Sequence, residues 1–283
     1  MATIAANTYN FKLSFSTTLC PEWTAAAIID GMQSYGFEGV EFCLGKSHLH
    51  GVELDSPADL LADVRKQFDE AGTAISCLAT HNVISHPEHD TRVKIVEGLK
   101  QCLRVADQLG APFVRVFGGE VPAGFEVTGV VDYIAESLAE VAEFAESQKV
   151  RSMILIETQG LLSHSKFITE VLDQVYSPKI GVLWNTLNPV RMLEKVEQTY
   201  DRIGSNVRFV HLADGQFNED RTKISLCDPG EGMVPMERVV DLLRAGLYRG
   251  YLSIESMHAE PDPDELLPKY SGYLKQIAGQ QEE

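Results

Sequence analysis

Four short apolar runs in the second half of the chain each end in a side chain that can ligate or titrate. They are Met153-Ile154-Leu155-Ile156-Glu157, Gly181-Val182-Leu183-Trp184-Asn185, Val207-Arg208-Phe209-Val210-His211 and Tyr251-Leu252-Ser253-Ile254-Glu255. An earlier run, Phe113-Val114-Arg115-Val116-Phe117, carries Arg115 in its middle. Read as strands, these segments place residues 153, 155 and 157 on one face, and likewise 251, 253 and 255. If those faces turn inward, Glu157 and Glu255 converge. A buried carboxylate without a partner costs several kcal/mol or takes up a proton. Two of them beside a histidine and an amide oxygen call for a shared cation. An oxygen-rich set with one imidazole suits Mn²⁺ or Mg²⁺, with Co²⁺, Fe²⁺ or Zn²⁺ less favoured. Taken singly, a strand-end glutamate reads as a solvated rim group and a lone histidine as a hydrogen-bonded core group. The joint pattern on four neighbouring strands points to a metal site or a former one.

The chemistry suited to such a set is proton abstraction beside a carbonyl. A cation bridging a carbonyl and an adjacent hydroxyl stabilises the enediolate. Glu157 and Glu255 then take the base and acid roles, in either order. His211 ligates the cation, and Arg115 holds a substrate oxygen. Delivery of a proton to the opposite face gives epimerisation, return to the neighbouring carbon gives isomerisation, and loss of a β-hydroxyl gives dehydration.

These residues need a scaffold that brings strand ends together. Along the chain, short apolar runs alternate with longer amphipathic ones. Strands are expected at Asn10–Ser16, Gly39–Leu44, Ala74–Ala79, Phe113–Phe117, Ser152–Glu157, Ile180–Trp184, Val207–Leu212 and Tyr251–Glu255. Helices are expected at Glu22–Ser34, Pro57–Ala71 with Ser56 as N-cap, and Asp90–Leu109 ending at Gly110. Further helices are expected at Val130–Ser147, Lys166–Val175, Val190–Tyr200, Pro235–Ala245 and Asp264–Ala278. Eight strand–helix units without a linker point to a single (β/α)₈ barrel over residues 1–283. The strands read as continuous apolar runs, as they must when both faces are covered. An open doubly wound sheet would usually carry a glycine-rich turn after its first strand. The segment Ser16-Thr17-Thr18-Leu19-Cys20-Pro21 has none. Chemistry in such a barrel sits at the C-terminal strand ends, where the four residues fall.

Composition removes other classes. Of 283 residues 44% are hydrophobic and 23% charged, as in soluble globular chains. Lys and Arg number 24 against 41 Asp and Glu, a net charge of −17. That surface repels phosphate backbones and anionic lipid, and no basic cluster offers a groove for nucleic acid. No apolar run reaches the roughly 18 residues of a membrane span. The stretch Met1 to Phe11 lacks a basic residue ahead of an apolar core, so no secretory signal is expected. The cysteines, at 20, 43, 77, 102 and 227, are odd in number and show no C-x-x-C spacing. A reducing cytoplasm therefore fits better than a disulfide framework.

Several segments together resemble the xylose isomerase-like TIM barrels, the sugar phosphate isomerase/epimerase superfamily. The resemblance is carried by Val114-Arg115-Val116-Phe117-Gly118-Gly119, Leu155-Ile156-Glu157-Thr158, Val182-Leu183-Trp184-Asn185 and Val210-His211-Leu212-Ala213-Asp214. Gly230-Glu231-Gly232 with Val234-Pro235, and Gly250-Tyr251-Leu252-Ser253-Ile254-Glu255, complete the set. It spans nearly the whole chain but does not select a substrate, since members include ketose epimerases, aldose–ketose isomerases, an inosose dehydratase and endonuclease IV. The resemblance implies Glu157, position 185, His211 and Glu255 as metal ligands, with the glutamates also moving protons. It implies Arg115 and Glu41 as pocket-lining, substrate-facing residues. It implies a small carbohydrate substrate and a homodimer or homotetramer. The sequence departs from the family where an aspartate and, three residues on, a substrate-contacting histidine are usual. Here these are Asn185 and Asn188. The change removes one negative charge from the ligand set and predicts weaker binding of a divalent ion.

Other polar segments read less sharply. The run from His81 to His89 holds three of the eight histidines and reads as a substrate-facing or solvated loop, with a second metal conceivable. His48 and His50 belong to another rim loop, Gly215 to Met233 is a lid candidate, and His258 could reach the pocket. Three readings stay open: a divalent-metal-dependent isomerase or epimerase of a small sugar or keto-polyol, a keto-sugar or inosose dehydratase on the same site, and a non-catalytic barrel with a degenerate metal site.

Overall fold

The computed structural model describes residues 11–45, 48–220, 223–255 and 262–279. His258 and the segment before Phe11 lie outside the described residues. The strands are β1 (Lys12–Ser16), β2 (Gly39–Cys43), β3 (Ala74–Val83), β4 (Phe113–Phe117), β5 (Met153–Glu157), β6 (Ile180–Asn185), β7 (Val207–His211), β8 (Asp214–Phe217), β9 (Ile224–Cys227) and β10 (Tyr251–Ile254). Eight of them close into a parallel barrel in the order β1-β10-β7-β6-β5-β4-β3-β2. The helices are α1 (Ala25–Tyr35), α2 (Ala58–Ala71), α3 (His89–Leu109), α4 (Val127–Ser147), α5 (Ser165–Val175), α6 (Leu187–Arg191), α7 (Val196–Ile203), α8 (Met236–Ala245) and α9 (Pro263–Ala278). The architecture is the (β/α)₈ barrel that the alternating runs require.

Each helix turns an apolar stripe inward. In α2 the buried positions are Leu61, Val64 and Phe68, spaced at one face of a 3.6-residue period. The outer faces of the strands, such as Val114, Val116, Ile154 and Ile156, meet these helices in one continuous core. The inner faces form a separate plug of Cys77, Leu155, Leu183, Phe209 and Tyr251, with Phe113 and Met153 against it. The plug closes the barrel from below. Inward-facing polar groups one step further along the strands are therefore open to solvent only at the C-terminal mouth.

Differences from the sequence reading have local causes. The expected helix over Val190–Tyr200 is two helices, α6 and α7. Between them Leu193 adopts a positive φ of 63°. Buried Glu194 accepts from the backbone N–H of Ser165, at 3.0 Å, and from the Ser165 hydroxyl, at 2.5 Å, and it pairs with Arg202. Those bonds at the start of α5 outweigh continuation of one helix. Ser56 is not the N-cap of α2, a position that falls to Pro57. Its hydroxyl instead accepts from Glu53 N–H at 2.8 Å. β3 runs four residues past its expected end and takes in His81.

The expected loop from Gly215 to Met233 contains the antiparallel hairpin β8–β9. Both of its ends are tied to Asp214, which is fully buried. Asp214 Oδ1 accepts from Gly215 N–H (2.8 Å) and Val234 N–H (3.0 Å), and Oδ2 from Gly230 and Gly232 N–H (3.0 Å each). A side chain at Gly232 would place its Cβ 2.1 Å from Asp214 Oδ1, so the approach requires glycine.

His50 is built in as a neutral group. Its Nε2 donates to Cys43 O at 3.0 Å, its Nδ1 accepts from Val52 N–H at 3.1 Å, and its ring stacks on Phe42. Burial depresses its pKa to about 4, against a smaller upward pull from the Cys43 carbonyl. The unfolded chain binds a proton here below about pH 6.5, and the folded chain does not until about pH 4. Folding stability should thus fall as the pH drops through that window, by about 2 kcal/mol between pH 7 and 5. His50→Gln should remove that part of the slope, which denaturant titrations of both proteins at the two pH values will measure.

Candidate active site

Three side chains from the neighbouring stretch of strands β5 to β10 meet above the plug. Glu157 ends β5, His211 ends β7, and Glu255 directly follows β10. One ligand atom from each lies within 4.8 Å of the others. Glu157 and His211 are almost fully buried, while the Glu255 side chain keeps 22% exposure toward the mouth. Asn185 joins through its amide nitrogen, which donates to Glu157 Oε1 at 3.0 Å. Its Oδ1 accepts from Leu187 N–H at 3.3 Å. The four strand-end residues of the sequence reading therefore lie together at the C-terminal end of the barrel.

Arg115 supplies the resident positive charge. Its Nη1 donates to Glu157 Oε2 at 3.3 Å and to Glu255 Oε1 at 3.0 Å, and its Nη2 to Thr80 O at 3.2 Å. The guanidinium lies over the Phe117 ring, 4.3 Å from its centroid. Burial pulls the Arg115 pKa down, but Glu255, Glu157 and Glu41 raise it further than burial lowers it. It remains a cation. Burial raises Glu157, yet His211, Arg115 and the Asn185 amide outweigh that and hold its pKa at about 2. Glu255 is pushed upward by burial and by repulsion from Glu157 and Glu41, against the pull of His211 and Arg115. Two carboxylates with environments pulling in opposite directions are the arrangement that separates a base from an acid.

The two ring nitrogens of His211 face different partners. Nε2 lies 3.0 and 2.9 Å from the two oxygens of Glu41. Nδ1 has no hydrogen-bond partner, although it is buried. It stands 3.7 Å from Glu157 Oε1 and 3.4 Å from Glu255 Oε2. Burial lowers the His211 pKa, but Glu41, Glu255 and Glu157 lift it well above the ordinary imidazole range.

The strand ends are held by hydroxyl clamps. Thr158 Oγ1 donates to Asn185 O at 3.0 Å and accepts from Asn185 N–H at 2.8 Å. Thr186 Oγ1 makes the same pair of bonds with Ala213, at 2.8 and 3.0 Å. Among the sequence-derived site residues, Asn188 sits in α6, buried, outside the hydrogen-bond network of the cluster. His81 is exposed at the mouth, with Nε2 3.6 Å from Cys43 Sγ. Glu41 is fully buried behind His211. The reading from residue types missed Ser253, whose hydroxyl donates to Glu41 Oε1. A small polar residue on the same face as Glu255, within an apolar strand, was the available signal.

Comparison with known proteins agrees with the barrel fold. Fructoselysine 3-epimerase of Escherichia coli O157:H7 is 22% identical over 232 residues, which cover 78% of this chain and 81% of that protein. The crystal structure of the IOLI protein with a zinc atom superposes with a TM-score of 0.80 at 15% identity, covering 95% of this chain and 99% of that one. L-ribulose 3-epimerase superposes with a TM-score of 0.76 at 17% identity, covering 95% of each chain. At such identities the superpositions speak for the fold. A model of the xylose isomerase-like TIM barrel matches residues 29–277, and the chain belongs to that family.

Proposed function

We propose that the chain is a divalent-metal-dependent isomerase or epimerase of a small ketose or keto-polyol. One observation carries this reading: the oxygens of the two glutamates divide between the Arg115 guanidinium and the ring of His211. Arg115 takes Glu157 Oε2 and Glu255 Oε1. Glu157 Oε1 and Glu255 Oε2 turn instead toward the unpartnered His211 Nδ1. A buried ring nitrogen without a hydrogen-bond partner, beside two carboxylate oxygens, is a donor set that fits a divalent ion once the ion displaces the ring proton.

Glu157, His211 and Glu255 would hold the metal. Asn185, the fourth ligand that the family resemblance implies, turns its nitrogen to Glu157; a carbonyl ligand there requires the amide to exchange both of its hydrogen bonds. The loss of the usual aspartate favours an exchangeable ion, with Mn²⁺ or Mg²⁺ as the first choice for this oxygen-rich set. When bound, the ion supplies Lewis acidity to a substrate carbonyl and its neighbouring hydroxyl. Glu157, held ionised, is the carboxylate available to accept a proton from the substrate carbon. Glu255, closer to the mouth, is the partner carboxyl that returns one. Arg115 steadies both and offers a donor to a substrate oxygen. The apolar plug keeps water from entering beneath the reacting carbon.

From the family we infer a small carbohydrate substrate, approached past His81 and Asn188, and a homodimer or homotetramer; a single domain over residues 1–283 is inferred from the eight strand–helix units, and a cytoplasmic location from the cysteine usage. Among the described residues no helix is long and apolar enough to cross a membrane.

Incubation of the Mg²⁺- or Mn²⁺-loaded protein with a panel of ketoses in D₂O tests the proposal. The expected result is deuterium at the carbon beside the carbonyl and an epimeric or isomeric product. Accumulation of an unsaturated product would instead favour the dehydratase. Absence of bound metal and of exchange with every ketose would favour a barrel without turnover.

A further inference from the structure

Glu41 is shielded from solvent, with His211 beside it. It is fully buried in β2, below and behind His211. Both of its oxygens face His211 Nε2, at 3.0 and 2.9 Å, and Ser253 Oγ donates to Oε1 from β10. We propose that Glu41 is a positioning residue that fixes His211 as the Nε2–H tautomer and thereby aims the Nδ1 lone pair at a cation held with Glu157 and Glu255. This rests on the metal-centre reading given above.

The argument is one of donors and acceptors. An ionised carboxylate only accepts, so the nitrogen that faces it must carry hydrogen. When a cation takes the place of the second ring proton the imidazole has one N–H, and with that hydrogen held on Nε2 the lone pair falls to Nδ1. Nδ1 is the nitrogen that is buried without a hydrogen-bond partner and that faces the other two glutamates. A second carboxylate behind a ligating histidine sets ring orientation and raises the basicity of the ligand. Ser253 keeps the Glu41 carboxylate from rotating away. Residues from β2, β7 and β10 thus form one chain across the barrel interior, and none of them needs to touch substrate.

The test uses Zn²⁺ as a diamagnetic probe. In ¹⁵N-histidine-labelled, zinc-loaded protein, His211 should show Nε2–H with Nδ1 carrying the coordination shift. The opposite tautomer overturns the proposal without touching the rest of the metal reading. Glu41→Gln preserves size and removes charge, and it should weaken Zn²⁺ binding by about 10–100-fold. KM for an active ketose, measured at saturating metal, should stay the same. Unchanged Zn²⁺ affinity with a raised KM would instead make Glu41 a substrate contact. If Glu41→Gln does not fold, Ser253→Ala, which leaves the charge and frees the carboxylate, should lower Zn²⁺ affinity by a smaller factor; unchanged affinity there also overturns the proposal. A wild-type chain that binds no Zn²⁺ overturns both this inference and the metal centre itself.

Discussion

Glu157→Gln is expected to cut the exchange of the substrate's α-proton by about 10²–10⁴-fold while the barrel stays folded. The substitution keeps the side-chain volume at the end of β5 and removes the charge that Arg115 and His211 face. It also replaces one of the carboxylate acceptors with an amide nitrogen. Oε1 accepts from Asn185 and Oε2 from Arg115, both donors, so the glutamine amide nitrogen meets one of them wherever it is placed. Proton NMR of an active ketose in D₂O, with metal content checked by elemental analysis, reads the rate directly. Full exchange in a variant that retains its metal would remove Glu157 from the proton-transfer path.

Arg115→Met is expected to act first on stability. In the wild type the guanidinium links Glu157 to Glu255, the latter 140 positions away from Arg115 in sequence, and also ties down the backbone of Thr80. Methionine fills part of the volume but leaves the two carboxylates facing each other. Removing one partner from a buried ionic cluster costs about 3–5 kcal/mol. In a chain of this size that corresponds to a drop in Tm of roughly 10 °C. A divalent ion should restore more of the loss in the variant than it adds to the wild type, because there it offsets repulsion that Arg115 otherwise relieves. Calorimetry of both proteins with and without Mn²⁺ measures the difference. Equal Tm values without metal would show that the cluster does not depend on the arginine.

Much of the barrel was legible because its elements obey local rules. Phe113–Phe117 is a run of apolar residues of strand length, and its bounds are those of β4. The long helices carry their apolar stripe in sequence, and Gly110 ends α3 with a positive φ of 76°. The clustering of Glu157, Asn185, His211 and Glu255 was legible for the same reason: side-chain alternation fixes which residues share the inner face. What stayed hidden depends on contacts between distant strands. Residue type does not say that Arg115 bridges two glutamates, that Asn185 turns its nitrogen rather than its oxygen to Glu157, or that Glu41 lies behind His211. Those outcomes are set by barrel closure, which brings residues 41, 211 and 253 within hydrogen-bond reach. The hairpin was hidden because Asp214–Phe217 and Ile224–Cys227 are four residues each, too short for a period to stand out. The break between α6 and α7 follows from Glu194 being drawn to α5, again a long-range cause.

The pinning of both hairpin ends by a single carboxylate has an evolutionary corollary. Because Asp214 gathers the amides of residues 215, 230, 232 and 234, strain introduced at the tip has a short route to ground before it reaches β7. The tip can therefore be lengthened, shortened or rewritten as a cassette while His211, three positions upstream of the anchor, keeps its place. A barrel arranged this way can vary this part of its rim without disturbing the residues beneath.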